Sequence, residues 1–282
     1  MKIAVEHSTV YRYDRPAVLG PHDIRLRPRD DGGQRLLDYE LRIDPPPVML
    51  AACFDQDGNH TKRAWFEALA TTALEVRSRF TVETLRANPF DYLLADSALL
   101  RVPLRYGERL GCVLAPYTAR GGSSETVAEF ARAAAGRAGW STVAFLTGLA
   151  AEIYGSFQAV LRPHGQPLPA TETLRERTGS CRDFAVLFAE ACRAMGLAAR
   201  FVSGYERNAA CAEPAYMHAW AEVYLPGGGW RGFDPSRAMA VADSHVAVAA
   251  ALDPEMAAPV AGAYSGAVRS ELETSIRMTV EE

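Results

Sequence analysis

The chain has 282 residues, of which 49% are hydrophobic and 23% charged, and its formal net charge is −4. Those proportions suit a globular protein with one large domain or two ordinary ones, and they give no electrostatic case for nucleic acid or an anionic membrane surface. The five cysteines are scattered and odd in number, which fits reduced thiols in a cytoplasmic protein and not a disulfide framework. The spacing from Cys53 to His60 and the isolated Cys112 and Cys211 match no zinc pattern, so no metal site is expected. Met1–Val5 is interrupted at once by Glu6 and His7, which excludes a signal-peptide core. No run reaches the roughly 18 apolar residues of a membrane span.

The first 85 residues read mostly as strands. Val5, His7, Thr9, Tyr11 and Tyr13 alternate with their neighbours, and Asp38–Ile43 alternates again. Asp44-Pro45-Pro46-Pro47 ends that run, and Asp55-Gln56-Asp57-Gly58-Asn59 is a strong turn signal. Leu74–Phe80 and Thr81–Leu85 add extended segments, so this half is expected to form a small antiparallel sandwich. Arg25, Arg27 and Arg29 read as a solvated strand face. Residues 88–107 are a less regular connector. Helical patterning begins near Ser123-Ser124-Glu125 and runs to Arg137, with a second helix over Thr142–Tyr154. Residues 162–169 form a loop, and Thr171–Arg177 a short helix. After Gly196 the period returns to that of strands: Arg200–Tyr205, Met217–Leu225, Trp230–Asp234, Val246–Leu252 and Glu271–Val280.

Between these lies the most informative stretch, Thr178-Gly179-Ser180-Cys181-Arg182-Asp183-Phe184-Ala185. Phe184, Leu187, Phe188, Ala191, Cys192 and Met195 follow the spacing of one buried helix face. Ser180 is placed to cap the helix, Asp183 completes an approximate capping box, and Gly196 closes the C-terminal end. Cys181 then falls on the first helical residue. There the helix dipole and free N–H groups favour a thiolate, and can also bind an oxyanion. A cysteine is often simply buried, and Cys192, on the apolar stripe, reads that way. Cys181 precedes the stripe in a polar context and reads as a nucleophile. Asp183 reads as a cap. Arg182 faces either the mouth of a site or solvent.

Met217–Leu225 alternates cleanly, with His218, Trp220, Glu222 and Tyr224 on one face. A lone histidine is usually a surface or satisfied core residue, but His218 opens a strand beside an aromatic, downstream of the helix-start cysteine. It is the candidate base. His7, His22, His60, His164 and His245 lack such a setting. Pro226-Gly227-Gly228-Gly229 turns the chain back, which brings Asp234 towards His218 as the group that orients it. A tight hairpin with Leu225 opposite Trp230 would turn Asp234 to the wrong face. The register expected is therefore Tyr224 opposite Trp230, through a five-residue or bulged connection and not a two-residue turn. Asp234 is then expected on His218 Nδ1, and Nε2 on the sulfur.

These contexts together resemble the transglutaminase-like superfamily, specifically its bacterial cysteine proteins. The resemblance rests on Gly179–Ala185, Val202-Ser203-Gly204-Tyr205, His218–Gly227 and Gly229–Pro235. It extends to His7–Tyr13, Arg25–Arg29 and Asp57-Gly58-Asn59, which look like that family's accessory β domain. The resemblance implies an α+β fold, with a papain-like core whose nucleophile helix packs on an antiparallel sheet. It implies a Cys181, His218, Asp234 triad acting without cofactor on a peptide or protein amide. Where many relatives have glutamine after the cysteine, this chain has Arg182. Arg182 and Trp220 are the candidate substrate-binding residues. The expected division is an N-terminal β-rich domain over residues 1–100, a catalytic domain over 101–245 and a C-terminal β extension over 246–282. The first domain is expected to pack against the second and supply no chemistry.

Three functions compete: a thiol hydrolase of amides, an acyltransferase in which an amine replaces water, and a non-catalytic binding module. An intact triad argues against the third, and the first two share their first half-reaction.

Overall fold

The alternation that starts at Ile3 runs well beyond Tyr13. In the computed structural model, which describes residues 1–281 apart from 68–69, 96, 120–123, 163–164 and 208–215, strand β1 spans Lys2–Ile24. Cys211 and His164 lie outside the described residues. Ile3, Val5, His7, Thr9 and Tyr13 are buried, and so are Ala17, Leu19, His22 and Ile24. Pairing with the neighbouring strand slips between Arg12 and Ala17, where Asp14-Arg15-Pro16 interrupts the ladder without ending the strand.

β1 is followed by β2 (Gln34–Asp44), β3 (Met49–Phe54), β4 (His60–Trp65) and β5 (Ala70–Thr84). After the connector come α1 (Glu108–Thr118), α2 (Glu125–Arg137) and α3 (Thr142–Ser156). The two-residue strand β6 (Gln158–Ala159), α4 (Ala170–Glu176) and the equally short β7 (Thr178–Gly179) lead to α5 (Cys181–Ala194). Then follow β8 (Ala199–Glu206), β9 (His218–Leu225), β10 (Gly229–Asp234), β11 (Met239–Ala240), β12 (His245–Ala251), β13 (Val260–Ser265) and β14 (Ser270–Glu281). Helix α1 has no counterpart among the sequence expectations, because Gly111 and Pro116 within it mask the helical pattern. No helix among the described residues is long and apolar enough to cross a membrane.

The strands form two main antiparallel sheets. The first runs β2-β5-β1-β4-β3, with β13 and β14 also on β1. The first half of β1 pairs with β5 and β14, and its last residues pair with β4 and β13. The N-terminal layer is thus one continuous sheet curled around a shared strand. Its core includes Tyr13, Leu19, Ile24, Leu26, Leu74 and Val76. The second sheet runs β11-β10-β9-β8-β12. Helix α5 lies on it, with Phe184, Leu187, Phe188 and Cys192 packed among Ala221, Val223, Leu225 and Phe233. Residues 246–282 divide between the sheets: β12 lies on the edge of the second, while β13 and β14 return to the first.

Two side-chain amides join the sheets. β12 leaves one backbone edge without a strand partner. Gln34 Nε2 donates to Ala247 O and its Oε1 accepts from Ala247 N–H, both at 2.8 Å. Asn59 does the same at Ala250, again at 2.8 Å for each bond. The two amides thereby complete the edge as a neighbouring strand would. Asp55 holds Asn59 in place through Oδ1 on its N–H and Oδ2 on its amide. Arg29 caps the Asn59 oxygen at 2.6 Å, and Arg25 is buried near Asp23 and Asp55. The expected solvated arginine face is therefore corrected at Arg25, buried beside Asp23 and Asp55, and at Arg29, which donates to Asp57 O and Asn59 Oδ1 in the turn. An apolar cluster of Val5, Phe80 and Val82 with Tyr205, Val246 and Val248 completes the joint.

Candidate active site

Local chemistry places Cys181. Ser180 is extended and caps α5. Asp183 Oδ2 accepts from both the N–H and the hydroxyl of Ser180 at 2.7 Å. Its Oδ1 accepts from Leu168 N–H and from Arg162. These donors hold Asp183 below the ordinary carboxylate range although burial opposes it. Asp183 is thus a cap, as its spacing predicts. At the other end Gly196 has φ +77°, Leu197 N–H reaches Cys192 O and Gly196 N–H reaches Arg193 O, both at 3.0 Å. That paired closure needs a left-handed residue, and a Cβ on Gly196 would also meet Leu104 O at 2.2 Å.

The β9–β10 hairpin has the register that the triad requires. Tyr224 faces Trp230 and Ala221 faces Phe233. Leu225 also pairs with Gly229, which leaves a three-residue connection, with positive φ at Gly227 and Gly229. Phe233 turns to α5 and stacks on Phe188 at 5.8 Å. Asp234, one residue on, turns the other way and meets His218: Nε2 to Oδ2 is 2.6 Å, with Asp234 fully buried.

The nitrogen assignment is the reverse of the sequence expectation. Nε2 is on the carboxylate, so Nδ1 is the nitrogen left to face the sulfur, and the His218 side chain is hydrogen-bonded to Cys181. Alternation fixes the face on which His218 stands but says nothing of its ring angle. The Cys181 sulfur also accepts from Ala219 N–H. Both partners come from β9.

The electrostatics follow. Burial would raise the Cys181 pKa, but the hydrogen bond and charge of His218 outweigh it and the net shift is downward. Burial would lower the His218 pKa, but Asp234 and Cys181 push it up to about 10. Asp234 is held far below the carboxylate range, because its burial is overcome by His218 and His245. The lowered thiol and the raised imidazole both shift in the direction that favours a thiolate beside an imidazolium. Cys192, eleven residues along the same helix, is fully buried and its pKa is raised well above that of an ordinary thiol.

Arg182 and Trp220 stand differently. Arg182 is half-buried, and its guanidinium donates to Arg162 O at 2.6 Å, tying Arg162 to the helix start. Trp220 is 1% exposed. Its indole stacks on His218 at 6.3 Å and meets His245 edge-on at 5.1 Å. It fits over Gly204 and Gly232, where a Cβ would lie 2.7 and 3.1 Å from the ring. Trp220 is thus a floor under the histidines and offers no open surface to a substrate.

His245 was passed over in the sequence. Its Nε2 stands 3.1 Å from Asp234 Oδ2, and its side chain is fully buried. Ser236 was also missed: its N–H and hydroxyl donate to Asp234 Oδ1 at 2.8 and 2.7 Å. His218, Asp234 and His245 place three potential metal-ligating atoms within 4.8 Å of one another. The 2.6 and 3.1 Å separations between nitrogen and oxygen are those of hydrogen bonds. Ligand atoms around a tetrahedral zinc, at about 2.0–2.1 Å from it, stand roughly 3.3 Å apart.

Residues 3–83 match the family model described as bacterial transglutaminase-like N-terminal region, and residues 146–235 match that of the transglutaminase-like superfamily. An uncharacterized protein of Mycobacterium leprae is 25% identical over 99% of this chain and 98% of its own length. One from Mycobacterium tuberculosis is 27% identical over 96% of this chain and 90% of its own. A solved structure, "a Putative Cysteine Protease from Cytophaga hutchinsonii", superposes with a TM-score of 0.75 at 22% identity, covering 100% of this chain and 92% of that one. At that identity the likeness concerns the fold.

Proposed function

We propose that this chain, which belongs to the transglutaminase-like superfamily, is a cysteine-nucleophile enzyme that cleaves an amide of a peptide or protein through a thioester. One observation supports this most. An unbroken hydrogen-bonded line runs from a partly exposed thiol at a helix start, through His218, to a buried carboxylate that accepts from four donors.

In this reading Cys181 Sγ attacks the carbonyl carbon. The oxyanion forms at the N-terminal end of α5, where the helix dipole favours negative charge. His218 then gives its Nδ1 proton to the leaving nitrogen, the C–N bond breaks and a thioester remains. Water enters, loses a proton to His218 and attacks the thioester. The acid departs and the thiolate is restored. Asp234 keeps Nε2 protonated throughout, so that Nδ1 is always the nitrogen in use. Thiol, imidazole and carboxylate supply every group required, without a cofactor.

An amine in place of water would make the same enzyme an acyltransferase. Mass spectrometry of a glutamine-containing peptide incubated with and without a primary amine separates the two. Deamidated or cleaved peptide in both incubations is the expected result, and an amine adduct would mark transamidation. No product in either, from a panel of peptides, would leave a binding module.

A further inference from the structure

The Asp234 carboxylate is held by two histidines, and the mechanism uses only one. His245 opens β12, on the edge of the sheet beyond β8. Its side chain is fully buried, and its Nε2 lies 3.1 Å from the same Oδ2 that binds His218. Its Nδ1 lies 3.0 Å from the Ser244 hydroxyl. An ionised carboxylate only accepts hydrogen bonds, so Nε2 of His245 must carry a proton. In the neutral ring Nδ1 is then an acceptor for the Ser244 hydroxyl.

A buried hydrogen-bonded histidine can be merely structural, as His7 is. The difference here is where the bond ends. Ser236 fixes Oδ1 through two donors, and that alone leaves the carboxylate able to pivot about Oδ1. His245 grips Oδ2 itself. Among the described residues, the charged or titratable groups around its ring are Asp234 from β10, His218 from β9 with ring centroids 5.9 Å apart, and Glu206, its partner in the β8–β12 pairing. Glu206 is engaged with Arg237 at 2.8 and 2.9 Å, so Asp234 remains the acceptor for His245.

We propose that His245 is a positioning residue of this site: with Ser244 fixing its tautomer, it clamps Asp234 Oδ2 so that the carboxylate keeps one orientation towards His218. The inference rests on the triad reading given above. A carboxylate free to pivot holds the imidazolium less well, so the thiolate forms less readily and at higher pH.

Iodoacetamide alkylation of Cys181, followed site by site by mass spectrometry across pH 5–9 (approximate limits chosen to bracket the histidine range), tests this without knowledge of the substrate. His245→Phe keeps the ring packing and removes the donor. His245→Gln restores an N–H at the position of Nε2. The expected result is a fall of about tenfold in the neutral-pH rate for His245→Phe, the scale of one charge-assisted hydrogen bond. The pH at which alkylation fades should rise in that variant, and His245→Gln should recover most of both. Ser244→Ala leaves the ring in place and should slow the reaction about two- to threefold, which covers the case in which His245→Phe does not fold. Equal effects of Phe and Gln, or a wild-type rate in both Ser244→Ala and a folded His245→Phe, would overturn the clamp. Slow wild-type labelling of Cys181, no faster than that of Cys192, would instead mean that the triad reading had failed.

Discussion

Both sheets bury histidines, and His7 in the first and His218 in the second are driven in opposite directions. In the N-terminal sheet His7 stands between the Tyr205 hydroxyl at 2.7 Å and the Thr9 hydroxyl at 2.9 Å. Both partners are neutral, so desolvation wins and its pKa falls to about 4. In the second sheet His218 is equally buried but faces a carboxylate and a thiol, and it rises to about 10. Burial is common to both, so the neighbouring charge decides. The same rule separates Cys181 from Cys192 on one helix: His218 lowers the pKa of the first, whereas burial dominates at the second and raises it although Arg193 opposes. Buried polar groups of the N-terminal sheet tie the two layers together, and those of the second sheet converge on a sulfur. Neither burial nor residue type alone marks a candidate site.

The contrast breaks most sharply at the sulfur. Cys181→Ala should abolish turnover of any amide substrate, a loss on the order of 10^6-fold by analogy with other nucleophile triads. Circular dichroism and melting temperature should stay near wild type. Asp234→Asn comes next. Its amide would set a donor against the Nε2–H of His218 and favour the wrong tautomer, so turnover should fall about 10^3–10^4-fold while part of it survives.

In the N-terminal layer the effects should appear in stability. Asn59→Ala strips two hydrogen bonds from Ala250 and leaves buried backbone groups unpaired. A loss of about 1–3 kcal/mol in urea unfolding is expected, with the Cys181 alkylation rate of the folded protein unchanged. A changed rate would show that the layers are coupled more closely than the hydrogen bonds indicate. His7 should add a pH signature. The unfolded chain takes up a proton below about pH 6.5 that the folded chain refuses until about pH 4. Stability should therefore fall as pH drops through that window, by up to about 3 kcal/mol, and His7→Gln should flatten the fall.

What the sequence reveals and what it hides divide by distance along the chain. Helix α5 was legible from end to end, because a cap, an apolar stripe and a terminal glycine are local signals. The β9–β10 register was legible too: a slip of one residue from Tyr224 opposite Trp230 would put His218 and Asp234 on opposite faces. The curled N-terminal sheet was legible as strands but not as one continuous sheet. Its closure depends on β13 and β14 pairing with β1 across nearly the whole chain. His245 was hidden for the same reason. Asp243-Ser244-His245-Val246 says only that a strand begins, and the approach of that histidine to Asp234 depends on β12 joining β8. The burial of Trp220 is hidden in the same way, because its partners Gly204 and Gly232 come from the flanking strands.

The central claim is that the surroundings of Cys181, and not its exposure, make it reactive. Cys53 and Cys112 are exposed thiols in the same molecule, whereas Cys181 is only partly exposed. Limited iodoacetamide labelling of the native protein at pH 7, with each site quantified by mass spectrometry, compares them directly. Faster labelling of Cys181 than of either exposed cysteine is the predicted result. Labelling in order of exposure, with Cys53 and Cys112 ahead of Cys181, would contradict the account.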